Sequence, residues 1–283
     1  MLRDLTFAFV GAGTMGEAMI AGLLKKQLVS PERILATTPR AERREALAAK
    51  HGIRTSADNR AAAAEADVVV VAFKPQMLPQ VLPTLRGAIS PQAMVISVIA
   101  GATVATFREV LGHEAIVRAM PNTPSQIDEG MTVWTATPAV TPRQREMAAE
   151  MLGALGKEHY VADEKFVDMA AALSGTAPAY CFLLLEALVD AGVHLGFSRR
   201  VAEELVLQAI HGSVLLAMQS GQHLAELRNM VTSPGGASAA ALYALEKGGL
   251  RTVMADGVWA SYRRVQELGK GDTAPAPVPP APG

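Results

Sequence analysis

Strand-forming patterns stop near Ala162 and do not return, which divides the chain into two regions of different architecture. Before that point, apolar runs alternate with helix patterns. The runs are LTFAFV (5–10), RILATT (33–38), DVVVVAF (67–73), AMVISVI (93–99), AIVRAM (115–120) and MTVWTA (131–136); helix patterns such as Met15–Leu28, Ala41–Lys50 and Gln76–Arg86 lie between them. Val-rich runs without polar alternation suit a parallel sheet covered on both faces. Strands alternating with helices argue for a doubly wound α/β domain. From Lys165 to Leu268 every segment reads as helix, including Pro178–Leu195, Arg199–Ser220, Ala237–Lys247 and Gly249–Leu268. The expected fold class is therefore α/β: an N-terminal Rossmann-type dinucleotide-binding domain over 1–162, followed by an all-α C-terminal domain over 163–268. The remainder, 269–283, ends in GDTAPAPVPPAPG and has too few large apolar groups to pack, so it is expected to be a disordered tail.

Charge and composition exclude several classes of function. Lys and Arg number 26 against 27 Asp and Glu, so the chain carries no nucleic-acid footprint and no polybasic membrane surface. No apolar run reaches about 18 uninterrupted residues, and no membrane span is expected. The N-terminal LTFAFV is not read as a secretory signal, because Gly11, Gly13 and Gly16 interrupt what would be its apolar core. Cys181 is the one cysteine; in the run YCFLLLEALV it reads as a packed core thiol, in keeping with a reducing cytoplasm. The six histidines show no metal-ligand spacing, so no metal is expected. In 201–220, VAEELVLQAIHGSVLLAMQS, apolar side chains reach beyond one helical stripe. That surplus is expected to be buried against a second subunit, a self-contained bundle being the alternative.

Gly11-Ala12-Gly13-Thr14-Met15-Gly16 follows an expected strand and opens an expected helix. The first glycine permits a tight turn, the second lets backbone approach a pyrophosphate, and the third lets helix and strand pack closely. The second strand ends in Thr37, Thr38, Pro39 and Arg40, where an NAD-binding chain usually carries an acid. Hydroxyls beside a guanidinium accept a 2′-phosphate, so NADP(H) is expected over NAD(H). Arg43 and Arg44 read as a solvated helix face for at least one of the two. Asn59 is placed on the adenosine side by spacing alone. Ala72, Lys74 and Pro75 end one strand, and Ala100 with Gly101 and Asn122 follow two others; ligands bind at such carboxyl ends.

The helical region carries one break, Thr232-Ser233-Pro234-Gly235-Gly236, followed at once by another helix pattern. Bare amides at a helix start suit a small anion, and a plain helix-turn-helix start is the other reading. No residue stands out as the proton donor that ketone reduction needs. A substrate already cationic at the reacting carbon, such as a protonated imine, removes that need.

The chain resembles the pyrroline-5-carboxylate reductase family. The resemblance is carried by FVGAGTMGEAM (9–19), VAFKP (71–75), ISVIAG (96–101), RAMPNTP (118–124), EGMT (129–132), SGTAPAY (174–180), EALVDAGVHLG (186–196) and VTSPGGASAAALYALEKGG (231–249), in the family's order. The last block is the family's signature. The resemblance implies hydride transfer from NADPH, or NADH in some members, to 1-pyrroline-5-carboxylate, giving L-proline. It also implies a homodimer through the helical domain, often assembled further into a decamer. By matching position, Val231, Ser233, Gly235, Gly236, Ala237 and Ser238 would surround the substrate, its carboxylate held at the Gly-Gly turn and by Ser233. The Ser238 hydroxyl would face the ring nitrogen as a catalytic group, and Pro178 and Lys74 would lie across the pocket. Two positions depart from the family: Ser238 where Thr is common, and Ala177 where Gly is usual. A dehydrogenase acting on a β-hydroxy acid and a non-catalytic NADP(H)-binding regulator remain the alternatives; the first usually needs a helix lysine, and neither Lys165 nor Lys247 is suitably placed.

Overall fold

The computed structural model describes residues 2–269, so the expected disordered tail lies outside the described residues except for Gly269. Two compact units emerge: one runs up to Thr176 and resumes at Ser261, and the other is Ala177–Ala260.

In the first unit the elements follow in the order β1 (Phe7–Val10), α1 (Thr14–Lys25), β2 (Ile34–Thr37), α2 (Ala41–His51), β3 (Arg54–Ser56), α3 (Asn59–Ala64), β4 (Val68–Val71), α4 (Leu78–Val81), β5 (Met94–Ser97), α5 (Val104–Leu111), β6 (Ile116–Met120), β7 (Gly130–Ala136), α6 (Pro142–Gly153), β8 (Gly156–Tyr160) and α7 (Lys165–Ala170). They build one sheet in the order β3-β2-β1-β4-β5-β6-β7-β8. All neighbours pair in parallel except β6 and β7. Successive side chains of a strand point to opposite faces. Phe7, Phe9, Val68 and Val70 enter one core, and Ala8, Val10, Val69 and Val71 enter the other. Both faces are dry, which is why these strands read as unbroken apolar runs.

The structure departs from the sequence pattern in three places. The expected helix over Gln76–Arg86 is broken into a 3-10 turn at Pro75–Met77, the single turn α4, and another 3-10 turn at Leu82–Leu85. Pro75, Pro79 and Pro83 recur every four residues and each removes a helical N–H donor. The edge strands β3 and β8 were not anticipated. The compact unit also extends past 162, because Arg118 on β6, with a side chain only 3% exposed, pairs with Glu164 at 2.7 Å and Asp168 at 2.5 Å. Glu164 also accepts the Val104 N–H at 2.7 Å, fixing α7 to the start of α5. Removing both carboxylates would leave the buried Arg118 guanidinium without its ion-pair partners, a destabilising change.

The second unit contains α8 (Ala177–His194), α9 (Arg199–Ser220), α10 (Leu224–Met230) and α11 (Ala237–Lys247), with the first part of α12 (Leu250–Gly269). Gly192 lets α8 and α9 cross closely, since a Cβ built there would lie 2.9 Å from Ala202 Cβ. Only Val189 and Ala202 are buried in this unit, while Phe182, Leu183, Leu216, Val253 and Trp259 remain largely exposed. It is not a self-contained bundle. Cys181, expected in a core, is likewise exposed, because it lies on the uncovered surface of α8. The unbroken-run criterion also missed that Lys165–His194 and Arg199–Ser220 are long and apolar enough, by length and composition alone, to cross a membrane.

Candidate functional site

In the first unit a cleft of about 1510 Å³ opens at the carboxyl ends of β1, β2 and β4. Its lining includes Gly11, Ala12, Gly13, Thr14 and Met15, then Thr37, Thr38, Pro39, Arg40, Asn59, Ala72 and Lys74. The glycine turn is held from below by the Thr37 carbonyl, which accepts from the N–H groups of Gly11 at 3.2 Å and Ala12 at 3.0 Å. Gly11 has φ +85°, and a Cβ there would lie 2.6 Å from Phe73 Cβ, so this position admits no side chain. At Gly13 a Cβ would meet nothing within 4 Å; bare backbone faces open space. No side chain caps the start of α1, leaving its first-turn amides directed at the cleft mouth. This cradle fits a dinucleotide pyrophosphate.

The adenosine side is partly self-assembled. Thr37 Oγ1 donates to Asn59 Oδ1 at 2.6 Å, which leaves the Asn59 amide hydrogens for another partner. Arg44 is committed to the Thr38 and Pro39 carbonyls at 2.8 and 2.9 Å, and so braces the end of β2. Arg43 is committed to Glu17 at 2.5 Å and to the Ala12 carbonyl at 3.3 Å. Arg40 is exposed, lines the cleft, and has no side-chain partner among the described residues. Of the three arginines it is the one available to a 2′-phosphate.

Sequence reasoning missed Glu17, Lys50 and His51, all of which line the cleft. Glu17 accepts from Lys50 at 2.8 Å and meets His51 at 3.0 Å, besides Arg43. Burial pushes its carboxyl up, but the hydrogen bonds from Lys50, His51 and Arg43 outweigh that and hold it at about 2. An acid in the first turn of a helix was the available signal; partners 26 to 34 residues away were not. A depressed carboxylate stabilises the fold above its unfolded pKa and loses that contribution as pH falls toward the folded value. Glu17→Gln is therefore expected to cost about 1–3 kcal/mol at pH 7. In urea unfolding the gap from wild type should narrow steadily between about pH 5 and pH 3. A gap unchanged over that interval would contradict the assignment.

Five residues grouped with the cofactor by sequence do not line the cleft. Gly16 packs instead, where a Cβ would lie 3.3 Å from the Gly11 carbonyl oxygen. Gly101 has φ +77° and packs on the end of α12, its Cβ position 2.9 Å from Leu268 Cβ. Ala100 precedes it in the same turn. Pro75 starts the 3-10 turn that Lys74 caps. Asn122 spends its amide on the chain itself, on Met131 and Ser174.

In the second unit the expected break falls between α10 and α11. Thr232 closes α10 by donating its hydroxyl to the Arg228 carbonyl at 2.6 Å. Gly235 takes φ +71°, and Gly236 is the N-cap of α11 with no side-chain cap. A Cβ on Gly236 would lie 2.6 Å from Ser233 Oγ, so the absent side chain lets that hydroxyl fold over the helix start. Ala240 is the first residue to bond back, to Gly236, leaving the amides of Ala237, Ser238 and Ala239 without intrahelical partners. The Ser233 and Ser238 hydroxyls have no partner among the described residues. Val231, Ser233, Gly235, Ala237 and Ser238 are exposed, and Pro178, in the first turn of α8, is half-buried. Lys165, a conceivable donor for a hydroxy-acid dehydrogenase, is paired with Asp163 at 2.9 Å.

Comparisons with known proteins cover both units. Residues 164–268 match the family model for pyrroline-5-carboxylate reductase dimerisation, and residues 6–101 match that for NADP oxidoreductase, coenzyme F420-dependent. A pyrroline-5-carboxylate reductase of Synechocystis sp. is 38% identical over 94% of this chain and 99% of its own. One from Pseudomonas aeruginosa is 38% identical over 92% and 96%. The crystal structure of Plasmodium falciparum pyrroline carboxylate reductase with NADP bound matches with a TM-score of 0.88 at 30% identity, covering 95% of this chain and 100% of that one.

Proposed function

Because the chain belongs to the pyrroline-5-carboxylate reductase family, we propose that it reduces 1-pyrroline-5-carboxylate to L-proline with NADPH. The observation that carries the reading is the uncapped start of α11, where unpaired amides and two free hydroxyls converge after a Gly-Gly turn. Such a terminus binds a carboxylate through N–H groups and the positive end of the helix dipole.

The glycine turn, Thr14 and Met15 would hold the pyrophosphate, Asn59 the adenosine ribose, and Arg40 with Thr38 the 2′-phosphate. When bound, the reduced nicotinamide supplies a hydride for the imine carbon. Ser233 and the amides of Ala237 and Ser238 fix the substrate carboxylate, and Val231 and Pro178 border the ring. The Ser238 hydroxyl holds the ring nitrogen, which carries the proton that makes the carbon electrophilic. The C=N π pair becomes the nitrogen lone pair of the amine, whose N–H is the one the iminium already carried, so no further acid is required. Lys74, exposed with no ion-pair partner among the described residues, adds positive charge beside the cofactor. Catalysis here is positioning, and effective molarity rather than proton transfer supplies most of the rate.

The exposed apolar surface of α8, α9 and α12 is read as covered by a second copy, giving a homodimer that assembles further into a decamer. On that reading these helices are interface rather than membrane spans. A cytoplasmic location is the reading that the unpaired thiol and the use of NADPH support.

Purified protein is expected to oxidise NADPH when supplied with 1-pyrroline-5-carboxylate, faster than with NADH, and to be inactive on β-hydroxy acids with NADP+. Tight NADPH binding without turnover of any cyclic imine would refute the reading.

A further inference from the structure

Both ends of the Asn122 side-chain amide are engaged within the first unit. Oδ1 accepts from the Met131 N–H at 2.8 Å, joining the turn after β6 to the start of β7. Nδ2 donates to the Ser174 carbonyl at 3.1 Å. Ser174 lies in a π-turn, Ala171–Gly175, immediately before α8. In a continuous α-helix its carbonyl would accept from the N–H four residues on. That residue is Pro178, which has no N–H.

A part-buried carbonyl that lacks its helical donor needs another. Asn122 is the donor the structure provides, from 52 residues away in sequence. Neighbouring contacts hold the same turn. The Thr176 N–H donates to the Ala171 carbonyl at 2.9 Å, and the Thr176 and Ser261 hydroxyls lie 2.9 Å apart. Gly175 has no side chain, and a Cβ there would lie 3.1 Å from Met120 Cε, so the last residue of β6 packs directly on the turn. Met120 and Asn122, two residues apart, thus grip one π-turn by packing and by hydrogen bonding.

We infer that Asn122 is a positioning residue for the reaction: it supplies the hydrogen bond that Pro178 cannot, and so fixes the segment that presents Pro178 to the substrate. The inference rests on the reductase reading for its functional consequence and not for its structural one. It replaces direct cofactor contact as the role of Asn122. The π-turn and the proline require each other's compensation, and a π-turn of this kind commonly marks a functional segment.

The test is a double-mutant cycle on the full-length oligomeric protein. Asn122→Asp keeps the acceptor for Met131 and removes the donor to Ser174; Pro178→Ala restores a backbone N–H. Asn122→Asp is expected to lower kcat about tenfold while changing the NADPH dissociation constant, measured by fluorescence titration, less than about twofold. Pro178→Ala alone should also lower activity, yet added to Asn122→Asp it should recover turnover about threefold, because the new amide serves the orphaned carbonyl. Hydrogen exchange at Gly175 and Thr176 should quicken in Asn122→Asp and slow again in the double variant. Additive losses in both readouts would overturn the inference, as would NADPH binding weakened about tenfold at unchanged kcat. If Asn122→Asp does not fold, Asn122→Ser replaces it in the same cycle. A native protein without turnover, but with the exchange cycle intact, would refute the reductase reading alone.

Discussion

Replacing Ser238 with alanine is expected to lower kcat for 1-pyrroline-5-carboxylate about a hundredfold while leaving NADPH affinity within about twofold. Ser238 is the second residue of α11, and its hydroxyl has no partner among the described residues. A helix interior offers such a hydroxyl the carbonyl one turn back, but here that turn is the Gly235-Gly236 break. The group is thus left for the substrate. On the proposed reading its loss would remove the contact to the ring nitrogen and let the reacting carbon drift, and misplacement of about 1 Å is enough for a change of this size. The amides that grip the carboxylate remain, so the substrate KM should move less than kcat. Ser238→Thr should preserve turnover, since the hydroxyl stays and the added methyl only narrows its rotamers. Steady-state kinetics on the three proteins, with NADPH binding followed separately, decide the point. Equal losses in kcat and cofactor affinity would move Ser238 out of the substrate site.

The second large effect is expected at the other end of the cofactor. Arg40→Asp should shift the ratio of kcat/KM values from NADPH toward NADH by about a hundredfold. A charge-assisted hydrogen bond is worth about 1.5–3 kcal/mol, and each 1.4 kcal/mol is about tenfold; repulsion between the new carboxylate and the 2′-phosphate adds to the loss. The structure sharpens the choice of residue. Arg43 is tied to Glu17 and Arg44 to the Thr38 and Pro39 carbonyls, so neither is free to turn toward a ligand. Arg43→Ala and Arg44→Ala should therefore register mainly in stability, with the NADPH-to-NADH ratio near that of wild type. A ratio unchanged in Arg40→Asp would remove Arg40 from the phosphate site.

What could be read from the sequence follows from the range over which each signal acts. The strands β1, β2, β4, β5 and β6 announce themselves because both sheet faces are buried there and most of their residues are apolar. Gly11 and Gly13 were legible because a tight turn and a close approach each require a missing side chain, and the break at Gly235-Gly236 was legible for the same reason. β8, Gly156–Tyr160, hid because GKEHY exposes alternate polar residues at the sheet edge. β3, Arg54–Ser56, is three polar or half-buried residues long. The proline spacing that breaks up 75–85 was present in the sequence and outweighed there by its apolar pattern. Glu17, Arg118 and Asn122 hid for a different reason. Their partners are set by the fold, at separations of up to 52 residues, and nothing local marks an ion pair or amide bridge of that kind. Thr37 and Asn59 were each placed on the adenosine side, while the bond between them emerged only in the structure.

The most direct test of the central claim is a stoichiometric one. Purified protein is incubated with 1-pyrroline-5-carboxylate and limiting NADPH, and L-proline is quantified on a chiral column against the NADPH consumed. One L-proline per NADPH oxidised, with no D-proline and a rate about a hundredfold lower after Ser238→Ala at matched enzyme, is the predicted result. NADPH bound at the glycine turn with no proline formed would contradict it.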